Sequence, residues 1–501
     1  MSKSVLFIFP HQLYDAKLLP QVDRVYMIED PLYFGTDQEF PTTFHKQKLI
    51  LHRASMTSYV ENVLWPAEYK VDYVNFDDVN LQTGHFAILP EDIDVAYMFD
   101  PTDDILLKRM QQSAVDAGGR VDLRVLPSPN FYLSYKDAHD YFSSKSDHQF
   151  ADFYQWQRER FNVLLDDYKP LGGKWIHEKN DHKKLPDDVS PPGFAAFGDN
   201  KYVEEAKAYI DKNFPNNFGN SAEFMWPINH DEAMKWLVEF VNERLDDFGN
   251  YGQSISQRSP YIFHSLLSSS LNIGLLTPQQ VIEEAMKRHE RREVPLQSLE
   301  GLVRQVLGWR EFVRGMYLVN GSNMRGKNNF NVSRRITKDW YNGTTGIEPF
   351  DQLVLKTDKH AYAHGSERLV IAGSLMVLSE LHPNDIYRWF MERFIDAYDW
   401  VMVPNVYGMS QFSDVGGMLD KPYVRSSSYI LEISDYAKGD WCDIWDGLYW
   451  RFIENHKPAI KNNPQLGKMI SQLDHIDKAR HRIIGYRAQD FLNDKTKSAV
   501  N

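Results

Sequence analysis

Residues 301–318 read Gly301-Leu302-Val303-Arg304-Gln305-Val306-Leu307-Gly308-Trp309-Arg310-Glu311-Phe312-Val313-Arg314-Gly315-Met316-Tyr317-Leu318. Leu302, Val303, Val306, Leu307, Val313, Met316 and Tyr317 recur at helical spacing, which predicts an α-helix with one buried face. On it, Trp309 sets a large flat ring beside Arg310, a permanent cation with a bidentate fork. Two readings follow. One is a core helix whose arginine reaches water along its stem; the other is a wall for a flat ligand that carries phosphates.

Around this helix lies a chain of 501 residues, long enough for two domains or more. Hydrophobic residues make up 43% and charged residues 25%, the balance of a globular protein in water. The 12 Trp, 27 Tyr and 29 Phe supply rings for cores, for stacking on flat ligands and for relaying electrons. The opening apolar run is too short for a signal peptide. No segment approaches the roughly 20 apolar residues of a membrane span, so a cytoplasmic protein is expected. A single cysteine, Cys442, excludes an intramolecular disulfide and an all-cysteine metal site. Net charge of −13 argues against indiscriminate nucleic-acid binding. A local basic surface remains open: residues 321–338 carry Arg325, Lys327, Arg334, Arg335 and Lys338 with no acid among them. That stretch reads either as a solvated loop or as a rim for phosphates.

The first third alternates strand and helix patterns. Val5–Phe9, Arg24–Ile28, Val71–Asn75, Val95–Phe99 and Arg120–Leu126 are short apolar runs, with helical stretches at His45–Trp65 and Asp103–Ala117 between them. This predicts an α/β domain over 1–126 with a parallel, Rossmann-like sheet. Its first strand ends in Pro10-His11-Gln12 without the glycine fingerprint of dinucleotide sites. Gln12 is still placed where such sheets bind ligands. From 127 to 224, Pro and Gly clusters punctuate a long connector with some helix inside. Residues 225–501 read as an all-α domain.

Seven passages resemble the photolyase/cryptochrome family, in the family's order: Phe248-Gly249-Asn250-Tyr251, Tyr261-Ile262-Phe263-His264-Ser265-Leu266-Leu267-Ser268, Gly308-Trp309-Arg310-Glu311-Phe312, His360-Ala361-Tyr362-Ala363-His364, Asp396-Ala397-Tyr398-Asp399-Trp400, Pro404-Asn405-Val406-Tyr407-Gly408-Met409-Ser410 and Lys421-Pro422-Tyr423. The chain as a whole resembles the bacterial (6-4) photolyase branch, also called photolyase-related or iron–sulfur bacterial. The resemblance implies FAD held by the helical domain. Its binding positions would be Tyr251, His264, Ser265, Leu267, Ser268, Gln305, Arg310, Arg368, Asp396, Asp399, Met402 and Asn405. Hydroxyls and a guanidinium suit a pyrophosphate. Arg368 and Asp396 lie on apolar stretches, where opposite charges persist only as a pair; the resemblance puts that pair beside the flavin ring. Trp340 and Trp389 resemble the family's electron-transfer tryptophans, with Phe390 next to the second. Trp309, Arg325, Lys327, Arg334, Arg335, Lys338 and Lys421 would form the DNA rim.

Three departures stand out. The branch holds a four-iron cluster on four cysteines, three of them near residues 434–442, where this chain retains only Cys442. No cluster is therefore expected, and Trp441, Trp445 and Trp450 would pack in its place. The family's His-x-x-x-His-His motif ends here in Gly365, so the usual proton donor is missing; His364 or Tyr423 would have to serve. Met402 stands where an amide or carboxyl group usually faces flavin N5. The branch often binds a lumazine-type antenna in the N-terminal domain. Gln12, Glu29, His45 and Lys48 occupy matching neighbourhoods, although most of them read as surface polar groups. The expectation is a monomeric, FAD-dependent photolyase that repairs ultraviolet pyrimidine photoproducts in DNA, (6-4)-type by resemblance. The alternative is a cryptochrome-like blue-light sensor that keeps FAD, lacks repair and signals to a partner protein.

Overall fold

The computed structural model describes residues 3–78, 81, 84–145, 148–177, 183–412, 423–461, 466–473 and 475–498. Five apolar runs form one parallel sheet: β1 (Ser4–Ile8), β2 (Arg24–Ile28), β3 (Val71–Val74), β4 (Val95–Phe99) and β5 (Asp122–Leu126). Their order is β3-β2-β1-β4-β5. Leu6 lies between Val25 and Tyr97, in register with both neighbours. The chain therefore winds outward from β1 in one direction and then, from β4, in the other. The point of reversal lies between β1 and β4, where doubly wound sheets open a crevice beyond their strand ends. Here Gln12 Nε2 donates to Phe99 O (2.9 Å) and His11 Nε2 lies 3.1 Å from Pro101 O, across that crevice. Leu13 N then donates to Ile273 O (2.9 Å), which ties the sheet to the helical part of the chain.

Residues 127–224 hold more helix than their Pro and Gly content suggests: Tyr135–Ser143, Phe150–Phe161 and Lys201–Asn213. Phe142 and Phe153 pack on Phe312 (5.6 Å for each pair), so this stretch joins the core instead of crossing the surface. The remainder is helical, with two contiguous apolar cores. One runs from the sheet through Leu302, Phe312 and Tyr317; the other gathers Trp340, Trp389, Met402 and Trp445. Residues 394–403 alternate between them: Ile395 and Tyr398 belong to the first, Phe394, Ala397 and Met402 to the second.

Residues 301–318 are not one regular helix. Leu296–Val303 is α, Arg304–Trp309 is a π-helical turn, and Arg310–Met324 returns to α. Further π-helical turns occur at Val60–Leu64, Glu367–Gly373 and Val403–Ser410. Such turns widen a helix and concentrate at functional sites. Gln305, Arg368 and Asn405 each lie on one.

Candidate cofactor and nucleic-acid site

The seam between the two cores contains a connected set of polar side chains. Asp396 follows the helix Pro383–Arg393, and Arg368 comes from the π turn Glu367–Gly373. Arg368 Nη1 lies 2.8 Å from Asp396 Oδ1, and Nη2 donates to Oδ2 (3.1 Å). Ser268 Oγ donates to the same Oδ2 (2.6 Å). Asn272, one helical turn on from Ser268, donates through Nδ2 to Asp396 O (2.9 Å) and accepts on Oδ1 from Arg310 Nη1 (2.5 Å). The Arg310 guanidinium also lies over the rings of Phe131 (5.0 Å) and Trp400 (4.9 Å). Burial pushes Arg310 down to about 10. Sequence reasoning missed Asn272; its spacing of four residues from Ser268 places both on one helix face.

Upstream, Ile262 (φ 46°) and Leu266 (φ 56°) hold left-handed backbone conformations unusual for side chains of their bulk. That strain shapes the loop that delivers His264, Ser265, Leu267 and Ser268. Both ring nitrogens of His264 and the hydroxyls of Ser269 and Ser270 are buried without a hydrogen-bond partner. Buried polar groups are otherwise almost always satisfied, so this run fits an additional polar ligand. His264 stacks on His364 with centroids 3.5 Å apart and planes 11° from parallel. Burial drives both imidazoles down, His364 to about 3 with Arg368 and Lys356 adding to the effect. Both rings are therefore neutral. Tyr251 stacks on Phe263 (5.4 Å) at the edge of the same loop. Met402 is buried, Asn405 is half-buried and donates to Val401 O (2.6 Å), and Gln305 is exposed. Tyr423 is half-buried and packs against both cores.

Several expectations are corrected. Trp309 packs on Phe150 (5.1 Å) and Phe312 (5.8 Å), whereas Arg310 faces Asn272 and Phe131. Neighbours in sequence, they do not form one ligand wall. Asp399 belongs to a different cluster from Asp396. It accepts from Tyr317 (2.5 Å), from Tyr387 and from both terminal nitrogens of Arg325. Arg325 Nη2 also reaches Asp104 Oδ1 (2.9 Å) at the start of the helix Asp104–Asp116, so its charge is spent inside the protein. Arg335 forms a fork on Asp385 (2.6 and 2.8 Å). Arg334 donates to Thr496 Oγ1 (3.0 Å) and lies 3.9 Å from Glu380. Of the expected rim cations, Lys327 and Lys338 are exposed; Lys421 lies outside the described residues.

The N-terminal polar groups read as surface residues are also corrected. Gln12, Glu29, His45 and Lys48 are all buried. Glu29 pairs with Arg53 (2.8 Å) and accepts from Tyr73 and Tyr209; His45 caps the helix Lys46–Tyr59 and reaches Asp358 O (3.1 Å). Lys48 donates to Ala397 O, beside Asp396, and lies over Phe44 (4.1 Å). Desolvation lowers it to about 7.

From Arg368 a line of rings leads away through the second core. Its guanidinium lies 4.1 Å from the Phe394 ring, Phe394 is 5.9 Å from Trp389, and Phe350 lies 5.7 Å from Trp389 and 5.0 Å from Trp340. Trp389 Nε1 donates to Trp340 O (3.1 Å). Both tryptophans are fully buried.

Known proteins resemble this chain over most of its length. Residues 6–226 match the family model of deoxyribodipyrimidine photo-lyase-related proteins. A (6-4) photolyase from Agrobacterium fabrum is 29% identical over 467 residues, covering 89% of this chain and 91% of the relative. The fold matches a bacterial class III photolyase from Agrobacterium tumefaciens (TM-score 0.55, 16% identity, 99% and 98% of the two chains). It also matches a cryptochrome from Synechocystis sp. PCC6803 (TM-score 0.54, 14% identity, 98% of each chain). The chain thus shares the fold of photolyases and cryptochromes over nearly its whole length and is similar in sequence to a (6-4) photolyase. Within a photolyase/cryptochrome frame, Gly365 is exposed, and a Cβ built there would meet nothing within 4 Å. Cys442 is buried on the helix Asp440–Asn455, with Trp441 and Trp445 edge to face beside it (6.3 Å).

Proposed function

We propose that the protein is an FAD-dependent blue-light photolyase acting on ultraviolet pyrimidine photoproducts in DNA, of the (6-4) type by kinship with the Agrobacterium fabrum enzyme. The observation that carries this reading is the continuous network Arg310–Asn272–Asp396–Arg368, closed by Ser268 and flanked by the unsatisfied His264, Ser269 and Ser270. Ser265 and Arg310 would hold phosphates, and Arg368 with Asp396 would face the flavin ring. Held by these residues, reduced FAD would supply the light-driven electron chemistry that such repair needs.

The chain's own residues do the rest. Arg368 and Asp396 fix a charge pair that is only 13% and 9% exposed, where low polarizability of the surroundings strengthens its field. Trp389 and Trp340 offer an oxidisable path for replenishing electrons. Met402 presents a polarisable, apolar face instead of a hydrogen-bonding one. Lys327 and Lys338 supply phosphate contacts, and the damaged nucleotide leaves the stack to reach the site, since its reactive atoms are shielded in a duplex. His364, neutral and stacked, has no imidazolium proton to give, which leaves Tyr423 as the proton donor of the expected pair. No helix among the described residues is long and apolar enough to cross a membrane. An action as a monomer is part of this reading.

The test is repair of oligonucleotides carrying one (6-4) photoproduct or one cyclobutane dimer, by photoreduced protein under blue light. Repair of the (6-4) lesion, lost in Tyr423→Phe, supports the full reading. Repair of the cyclobutane dimer alone retains a photolyase but moves its substrate. A protein whose flavin photoreduces without repairing either lesion is a cryptochrome-like sensor, and the enzymatic reading falls.

A further inference from the structure

Two residues beyond Asp396, Tyr398 leaves the cofactor network and enters the N-terminal domain. Its hydroxyl lies 2.9 Å from His52 Nε2 on the helix Lys46–Tyr59, within hydrogen-bond distance of it. Both side chains are buried, Tyr398 at 3% exposure and His52 at 0%. The ring centroid of Tyr33 lies 6.2 Å from that of Tyr398, and the Tyr33 hydroxyl lies 3.5 Å from His11 Nε2. Thus two tyrosines, each facing a histidine, run from the Asp396 loop to the end of β1. Neither pair lies on the Trp389–Trp340 path.

We infer that Tyr398 and His52 form a redox-active pair, in which Tyr398 yields an electron while its phenolic proton passes to His52. A buried phenol cannot lose an electron alone without creating a cation in a medium of low polarity. Moving the proton along a hydrogen bond already in place lets that charge settle on an imidazole, a far stronger base than an oxidised phenol. The step balances: the O–H bond of Tyr398 breaks, an N–H bond forms on His52 Nε2, and one electron goes to the oxidant. The products are a neutral tyrosyl radical and an imidazolium. The oxidant is the photoexcited, oxidised flavin, so in the cell the step rests on the reading given above. Before the step, desolvation keeps the Tyr398 phenol protonated and, with Lys48 and His11, holds His52 well below its ordinary value, so the imidazole starts neutral and the imidazolium formed is short-lived. Lys48 lies 4.9 Å from the Tyr398 ring and is the cation that opposes the step. Tyr33 is the next ring to which the hole can move.

The test is EPR of the purified full chain, frozen under blue light in the oxidised state, with flavin absorbance followed in the same sample. The expected signal is a tyrosyl radical that narrows when the protein carries ring-deuterated tyrosine. It is lost in Tyr398→Phe, which keeps the ring and its packing. In His52→Gln, whose amide accepts a hydrogen bond but takes up no proton, the yield falls about tenfold or more. Flavin reduction with radicals only on tryptophan, a tyrosyl signal that survives Tyr398→Phe, or one indifferent to His52→Gln overturns the pair. A protein that binds no flavin sinks the cofactor reading instead. In that event the same three proteins are oxidised by a laser-flashed ruthenium(III) polypyridine, and a tyrosyl yield equal in all three overturns the pair independently.

Discussion

Replacing Arg325 by methionine separates a structural clasp from a DNA contact. The guanidinium is held by Asp399 through both carboxylate oxygens and by Asp104 at 2.9 Å, and its side chain is 24% exposed. Asp399 is only 5% exposed and keeps its bonds to Tyr317 and Tyr387 when the cation is gone. Removing one partner of a buried pair costs about 3–5 kcal/mol, and the partial exposure of Arg325 puts this case near the lower end. With a urea m-value of about 3 kcal/mol/M, the midpoint of the affected transition falls by about 1 M. The deficit also grows with pH. Burial and the Asp399 charge already raise Asp103, between these elements, to about 7, and Arg325 pulls it down. A folded value above the unfolded one means that the native state binds the extra proton, so stability falls as pH climbs toward 7. Without Arg325 that fall extends to higher pH. Urea unfolding of Arg325→Met at pH 6 and pH 8 reads both effects. DNA affinity, measured across a salt series, should keep its slope, whereas the loss of one phosphate contact would reduce it by about 0.9. Wild-type stability combined with a reduced salt slope would refute the clasp.

Two further predictions concern Gly365, which the sequence marks as a departure, and the buried Lys48. Gly365→His should fold with a stability change within about 0.5 kcal/mol, since its side chain enters open space; it should raise the (6-4) repair yield per absorbed photon, and an unchanged yield would show that the missing imidazole is not what limits proton delivery. Lys48→Met should remove a pH dependence. Lys48 sits near 7 in the folded chain against an unfolded 10.5, so the unfolded state binds more protons between those values and the wild type gains stability as pH rises through that window. The variant is therefore the more stable of the two at pH 7, with its advantage shrinking by up to about 1.4 kcal/mol per pH unit toward pH 9. A difference independent of pH in equilibrium unfolding would contradict the buried, weakly paired ammonium.

Much of the sheet was legible because its three central strands are buried and short. Arg24–Ile28 and Val95–Phe99 match the expected limits, and Val5–Phe9 is displaced by a single residue. The helix Phe150–Phe161 was hidden because Pro and Gly clusters on either side mask a periodicity of only three turns. In the site, Arg368 and Asp396 were readable as charges on apolar stretches that need each other. The inward turn of Arg325 was not, because an arginine in a basic run looks the same whether its partner is a phosphate or an aspartate 74 residues away. The burial of Gln12, Glu29, His45 and Lys48 was likewise invisible, since each depends on a group elsewhere in the chain: the Phe99, Asp358 and Ala397 carbonyls and the Arg53 guanidinium.

The π-helical turns set a rule of counting on this protein. Each inserts one residue more than an α-helix needs, and each residue advances a helix by about 100°. Deleting one residue from Glu367–Gly373 would let the segment relax to a regular helix and turn everything on one side of the cut by that angle relative to the other. Arg368 and Ser374, which sit at opposite ends of the turn, could then no longer face the places they now share with Asp396 and the second core. Substitution is therefore a mild form of change here and indels a severe one: in the helices around this site, chain length is itself part of the recognition code, and drift in residue identity is tolerable only while the count is kept.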